Sequence, residues 1–255
     1  MSLPLSLGPA RPVPLSAVNP VAQLAAIAVV TVVLLVSGDL VTPAVVLAAE
    51  LALLPAAGLA TPGAFLRRTW PLLLSAAGVA WVNVAFGALE GADAWLSGAT
   101  WGLRVVALAL PGVLLVAATD PVRLADALTL HWRVPTRFAY GALAALRLVP
   151  LLAAEWETIR LARRARGVEG RTPLGHLRLL TSTAFALLVG ALRRGTRLAT
   201  AMDARGFDSG IPRTNARGSR LHPRDAVFVT GTVLVCAVAV TLSVRTGAWN
   251  PILAG

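Results

Sequence analysis

Two short stretches concentrate side chains able to do chemistry on a partner. The first is Arg160-Leu161-Ala162-Arg163-Arg164-Ala165-Arg166-Gly167, and the second is Ala201-Met202-Asp203-Ala204-Arg205-Gly206-Phe207. In both, helix-forming residues run up to an Arg and a Gly follows, where a left-handed residue would close a helix. A guanidinium is a planar fork of N–H donors suited to paired contacts with a carboxylate or phosphate, and the helix dipole favours a cation at a carboxyl-terminal end. The chemistry on offer is therefore recognition. No cluster of acid, base and nucleophile suggests a catalytic site. Cys236 has no second Cys to pair with, and His131, His176 and His222 lack metal-ligand spacing, so no metal site is expected. Three residues fall inside apolar runs, where polar groups are unusual: Glu50, Asn83 and Arg104.

The elements that must position these residues are membrane helices. The chain has 255 residues, 56% of them hydrophobic and 14% charged, with a mean hydropathy of +0.73, which is too apolar for an ordinary soluble domain. Its fold class is all-α, a polytopic membrane protein with about five to seven membrane helices and two long helices outside the main membrane part. Asn19-Pro20 starts the first span, Asn as N-cap and Pro at the first helical position. Spans follow at 21–36, 40–59, 71–89 and 101–118, and a last one at 226–244. Residues 61–70 and 90–97 read as loops. The organisation is a Pro-rich leader (1–20), a four-span membrane part (21–118), an Arg-rich interfacial region (119–224), and a final span with its tail (225–255).

Charge gives the orientation. All 23 basic residues are Arg, and the net charge is +11. Of these, 18 lie between Asp120 and Arg224. The loop after the second span carries Arg67 and Arg68, whereas the loops after the first and third carry Asp39 and Glu90 with Asp93. The positive-inside rule then places the amino terminus and the Arg-rich region on the cytoplasmic side of a multi-pass cell-membrane protein. In this setting the basic block speaks for the membrane surface and protein partners rather than nucleic acid. Trp70, Trp95, Trp101 and Trp249 sit near span ends, as an interfacial aromatic belt requires.

Within 119–224, Thr119-Asp120-Pro121 caps a short amphipathic helix that ends before Val134-Pro135. Two long helical patterns follow, from Thr136 to Arg166 and from Leu174 to Arg205. Their apolar fronts, 139–154 and 179–192, either lie at the interface or cross the bilayer as two further passes. Both alternatives leave the Arg-rich ends on the same side. Arg163, Arg164, Arg193, Arg194 and Arg197 suit lipid headgroups or solvent, with Arg163, Arg164, Arg197 and Asp203 as supporting contacts to a docked partner. Asp203 and Glu169 are placed to pair with nearby Arg. Gly78, Gly87, Gly102 and Gly112 suit close helix packing.

These landmarks together resemble the transmembrane coupling subunit of energy-coupling factor transporters, the EcfT/CbiQ family. The matching residues are Asn19-Pro20, Thr119-Asp120-Pro121, Leu128, Val134-Pro135, Ala145-Leu146-Arg147-Leu148-Val149-Pro150, Glu155, Ile159, Ala165-Arg166-Gly167 and Ala201-Met202-Asp203-Ala204-Arg205-Gly206-Phe207. The resemblance implies two crossed cytoplasmic coupling helices. Their tips, Ala165-Arg166-Gly167 and Ala204-Arg205-Gly206, would dock into grooves of two ABC-type ATPase subunits. It further implies a separate substrate-binding S component and uptake of a vitamin or a transition metal. Cofactors bound by this chain would be none, since ATP and Mg are used by the ATPases, and the chain would be non-catalytic. A second reading is a self-contained secondary carrier or channel with Glu50 as its ion-coupling group. Such a carrier should show repeated spans and several mid-span polar residues, and neither stands out. Under the first reading Glu50 is a buried structural group, protonated or Arg-paired, with Arg104 and Asn83 as candidates for its partner.

Overall fold

The computed structural model describes residues 13–87, 89–168, 172–207 and 218–251. The leader over 1–12, Glu169 and the last four residues lie outside this description. Eight α-helices are present among the described residues: α1 (Pro20–Val36), α2 (Val41–Ala52), α3 (Pro62–Phe86), α4 (Gly91–Ala118), α5 (Pro121–His131), α6 (Thr136–Ala165), α7 (Pro173–Ala204) and α8 (Pro223–Arg245). Five of them, α3, α4, α6, α7 and α8, are long and apolar enough to cross a membrane, and α1 and α2 are shorter apolar helices. The protein is polytopic and all-α. By contacts it divides into two compact units, one within Leu128–Gly218 and one from Gly8–Ala127 with Ser219–Gly255.

The larger unit gathers α1, α2, α4 and α8, with α3 packed along α4. Local chemistry starts its helices. The Asn19 side chain accepts from the Val21 amide at 3.0 Å with Pro20 at the first helical position, and the Asp120 carboxylate accepts from the Val122 amide at 2.9 Å. One end of the unit is tied by Asp225. Its carboxylate accepts from the backbone amides of Asn19 and His222, both at 2.7 Å. Beside it, the Asn19 amide group donates to Ser219 Oγ, and Gln23 donates to the Leu15 and Val18 carbonyls while accepting from Thr119. The other end is tied by Asp39, which accepts from the Thr42 amide, the Thr42 hydroxyl and the Ser243 hydroxyl at 2.7–3.0 Å. There Arg104 donates to the Leu34 carbonyl and lies 5.0 Å above the Trp101 ring.

These two polar layers are buried. Asn19 to Ser37 on α1, and Asp225 to Ser243 on α8, are each eighteen residues apart. At 1.5 Å per residue that is about 27 Å, close to the roughly 30 Å of a bilayer's hydrocarbon core. Between the layers the core is apolar, with Leu34, Val46, Ala107, Leu110 and Ala239 almost fully buried.

Three expectations change. Residues 61–70 are not a loop: α3 starts at Pro62 and carries Arg67 and Arg68, both exposed, in its first turns. A helix satisfies its own backbone whatever its side chains, and long basic side chains reach back to the interface. Likewise α4 begins at Gly91, so the acidic loop shrinks to the residues before it. The second span is broken. α2 stops at Ala52, and a 3-10 turn, Pro55–Ala57, continues to Gly58, whose φ of 75° closes the turn.

Glycine placement is also revised. Gly78 and Gly112 face open space, and Gly87 is the residue that caps α3. The close approach of α3 to α4 is made at Gly102 and at Gly98, which the sequence reading missed. A Cβ on Gly98 would lie 2.8 Å from the Ala80 carbonyl oxygen, and one on Gly102 3.1 Å from that of Ala76. Small residues four apart thus face each other on both helices, as in membrane helix pairs that meet at their backbones.

Gly98→Ala is therefore expected to lower stability by about 1–3 kcal/mol through overpacking. Gly112→Ala should be neutral or should gain up to about 1 kcal/mol from helix propensity. Thermal unfolding of the two variants in the same detergent checks this, and equal effects would contradict the assigned α3–α4 contact.

Candidate functional site: two arginine-tipped helices

The smaller unit is built on α6 and α7, of 30 and 32 residues. At 1.5 Å per residue each is a rod of about 45–48 Å. Thr172 caps the start of α7, its hydroxyl accepting from the Gly175 amide at 3.1 Å.

Both rods end in the same structure. Arg166 is the C-cap of α6 (φ −90°, ψ 6°) and Arg205 the C-cap of α7 (φ −88°, ψ 7°). The next residues, Gly167 and Gly206, have φ of 69° and 71°. The Gly167 amide donates to the Arg164 carbonyl at 2.9 Å and the Val168 amide to the Arg163 carbonyl at 3.0 Å. At α7 the pairs are Gly206 to Asp203 at 2.9 Å and Phe207 to Met202 at 3.1 Å. This is the paired 6→1 and 5→2 closure of a Schellman motif, in which a left-handed glycine turns the chain away from the helix axis. Each Arg thus stands at the very end of a rod, exposed, beside carbonyls that carry the negative end of the helix dipole. Ala165 and Ala204, exposed in the last turn, leave room around it.

The rods touch at a crossing. Arg194 Nη1 on α7 pairs with Glu155 Oε2 on α6 at 2.6 Å, each side chain about a third exposed (34% and 32%). Further along α6, Arg163 Nη1 donates to the Leu179 carbonyl (3.0 Å), Ser182 Oγ (2.8 Å) and Thr183 Oγ1 (2.7 Å) of α7. Contacts that advance along α6 thus retreat along α7, so the helices run antiparallel through the crossing and their tips lie on opposite sides of it. Glu155 precedes Arg166 by eleven residues, and Arg194 precedes Arg205 by the same eleven. Each guanidinium tip is therefore about 16 Å along its own rod from the shared ion pair. The arrangement places one C-cap guanidinium on each arm, at equal distances along the helices from the shared ion pair.

The remaining site residues fall out as follows. Arg163 was expected to support docking, but its guanidinium is turned onto α7 and holds the crossing. Arg164 and Arg197 are exposed, Arg164 lining a cleft of about 410 Å³ with Arg160, Trp156 and His176. Asp203 is exposed, and its carbonyl accepts from Gly206. Neither candidate partner reaches Glu50: Asn83 donates to the Val79 carbonyl one turn earlier, and Arg104 is held at Leu34. Sequence reading missed the Glu155–Arg194 pair. Its signal was the equal spacing to the two tips, which becomes visible only once the helices are known to cross.

The apolar fronts of α6 and α7 are poorly covered within the chain. Only 11% and 6% of their most apolar windows are buried, and Phe138, Phe185 and Leu188 are among the exposed side chains. Surfaces of this kind require lipid or a protein partner.

Comparison with known proteins adds to this geometry. The family model for CbiQ, described as a cobalt transport protein, matches residues 13–215. The energy-coupling factor transporter transmembrane protein EcfT of Exiguobacterium sibiricum is 37% identical over 142 residues, 52% of this chain and 52% of that protein. EcfT of Lacticaseibacillus paracasei is 34% identical over 157 residues, 58% of this chain and 59% of that one. A Bifidobacterium longum protein named as an ABC transporter ATP-binding protein is 26% identical over 169 residues, 62% of this chain but 22% of that longer protein. The chain spans between half and three fifths of the length of these EcfT relatives.

A side chain with a Cβ in the left-handed region costs about 1–2 kcal/mol. Gly167→Val and Gly206→Val should therefore loosen the two caps, with amide exchange at Val168 and Phe207 accelerating roughly tenfold, since 1.4 kcal/mol is a factor of ten. Hydrogen-exchange mass spectrometry reads this, and unchanged exchange would show that the left-handed closures do not hold the tips.

Proposed function

The chain belongs to the CbiQ family, and from that premise we propose that it is the transmembrane coupling subunit of an ATP-driven importer of the energy-coupling factor type. Its task is to pass motion from two ABC-type ATPase subunits to a substrate-binding S component, for uptake of a vitamin or a transition metal. ATP and Mg belong to the ATPases, and the cargo belongs to the S component. The observation that carries this reading is the twin tip: two helix ends with the same backbone closure, each with an exposed Arg at the C-cap, on either side of one crossing. In the Bifidobacterium relative a similar stretch makes up 22% of a longer chain that is named as ATP-binding, which supports an ATP-binding partner here.

The mechanism follows from the geometry. An ATPase groove bearing a carboxylate would receive each guanidinium in a forked pair, fixing position as well as adding energy. Truncating one partner of such a buried pair typically loses about 2–5 kcal/mol. Two tips on one body bind bivalently, so neither contact need be strong alone. When ATP binding brings the two sockets together, arms that cross at Glu155–Arg194 change their angle. Their far ends, which carry apolar and sparsely covered faces, tilt in response. The S component and lipid would cover those faces.

Orientation follows from charge. The polar layer around Asn19 and Asp225 has Arg123, Arg220 and Arg224 on neighbouring segments, whereas α4 starts, on the side of Arg104 away from that layer, with Glu90 and Asp93. Cytoplasmic anionic lipid and the positive-inside bias favour the first layer, with the amino terminus, on the cytoplasmic face of the cell membrane.

Arg166→Glu combined with Arg205→Glu is expected to leave a folded protein that no longer co-purifies with its ATPases from native membranes, with ATP-dependent uptake abolished. Arg245→Glu at the end of α8 should do neither. Normal co-purification and transport by the double variant would refute docking through the tips. The crossing is tested separately. Glu155→Arg should keep ATPase binding but reduce uptake severalfold, and adding Arg194→Glu should restore it. Failure of the exchanged pair to recover transport would mean that the ion pair is not the fulcrum.

A further inference from the structure

The larger unit has a half-open cavity of about 350 Å³ between α1, α2, α4 and α8, within the size range of small-molecule sites. Its walls are apolar, with Ala26, Val30, Leu114 and Phe228 prominent among them, and one acidic side chain, Glu50, lines it. Glu50 is 5% exposed. Both of its carboxyl oxygens are buried and have no hydrogen-bond partner among the described residues. The buried guanidinium of the unit does not serve it, because Arg104 is engaged by the Leu34 carbonyl and the Trp101 ring. The backbone breaks at the same place: α2 ends two residues after Glu50 and gives way to the 3-10 turn. In membrane proteins an interrupted helix is tolerated where it is buried or lines a cavity.

Buried polar oxygens without partners are destabilising by several kcal/mol in apolar surroundings. A ligand suited to this lining fills apolar space and brings N–H donors to one carboxylate. A hard metal ion does not suit, because it would need about six oxygen ligands and the walls are largely hydrocarbon. An acyl chain fills the space but leaves the carboxyl oxygens unpaired. We propose that this cavity is a binding site for a small hydrophobic ammonium ion, its apolar body seated among α1, α4 and α8 and its N–H groups bonded to the Glu50 carboxylate. The site is separate from the arginine tips and does not depend on the coupling role.

The probe is 1-aminoadamantane, a compact hydrocarbon cage with one ammonium. 1-Adamantanol and 1-adamantanecarboxylate serve as neutral and anionic compounds of the same shape. Binding to the purified full chain in nanodiscs is followed by calorimetry and thermal unfolding. The amine should bind saturably and raise the melting temperature, at least tenfold more tightly than the alcohol, while the acid does not bind. Glu50→Gln keeps the shape and should weaken the amine at least tenfold. Gly231→Leu leaves Glu50 intact and should also abolish binding, because Gly231 lines the cavity and a Cβ there meets open space. Should Glu50→Gln fail to fold, the charge preference of the unaltered chain and the Gly231→Leu variant decide. Equal binding of amine and alcohol, full retention in either variant, or no saturable binding by the unaltered chain would each overturn the proposal.

Discussion

Two carboxylates set the frame on which the larger unit hangs. Asp225 binds the backbone amides that precede α1 and α8, and Asp39 ties the α1–α2 turn to α2 and to α8. Charge-assisted bonds from amides and hydroxyls to a buried carboxylate are among the stronger hydrogen bonds in a protein. With both ends of α1 and α8 held about 27 Å apart, the helices cannot slide or splay between them. Between the two ties lies the half-open cavity lined by Glu50.

The smaller unit follows the opposite rule. α6 and α7 share little surface, and what joins them is the Glu155–Arg194 pair and the Arg163 bonds. A partly exposed ion pair stabilises by only about 0–1 kcal/mol, so this crossing is not a clamp. Stiffness lies within each helix, interrupted in α6 where Pro150 withdraws one backbone donor, and compliance lies between them. A weak, directional contact midway between two stiff arms holds position while allowing the angle to change. A broad hydrophobic interface would have locked the angle.

Local chemistry was legible in the sequence, and tertiary chemistry was not. Asn19-Pro20, Asp120-Pro121, Gly167 and Gly206 announce helix ends because a cap is decided by neighbours within a few residues, and all four behave as read. The loop expected over residues 61–70 failed because Arg67 and Arg68 suggested exposure, and exposure was equated with irregular backbone. The break after Glu50 was passed over because Leu53-Leu54 continues the apolar run while Pro55 withdraws a backbone donor. Glycine content was visible, yet which glycine faces a neighbour depends on helix rotation. Gly98 with Gly102 opposite Ala76 with Ala80 could have been found from their common spacing of four. Glu155 and Arg194 are 39 residues apart, and only the crossing brings them together.

The helix ends contain their own control. α8 closes with the same backbone as α6 and α7: Gly247 has φ of 69°, its amide donates to the Val244 carbonyl, and the Ala248 amide donates to that of Ser243. Yet the C-cap residue there is Thr246, not Arg. The closure therefore requires glycine and is indifferent to the residue before it. The closure itself does not call for the Arg found at that position on both rods, Arg166 and Arg205, with an Ala before each. Their stabilisation of the helix dipole, about 0.3–1 kcal/mol at an exposed site, would be supplied equally by a cation elsewhere in the last turn, and Arg163 and Arg164 already stand there on α6. What the cap position adds is reach: it puts the guanidinium beyond the last turn, at the farthest point of the rod.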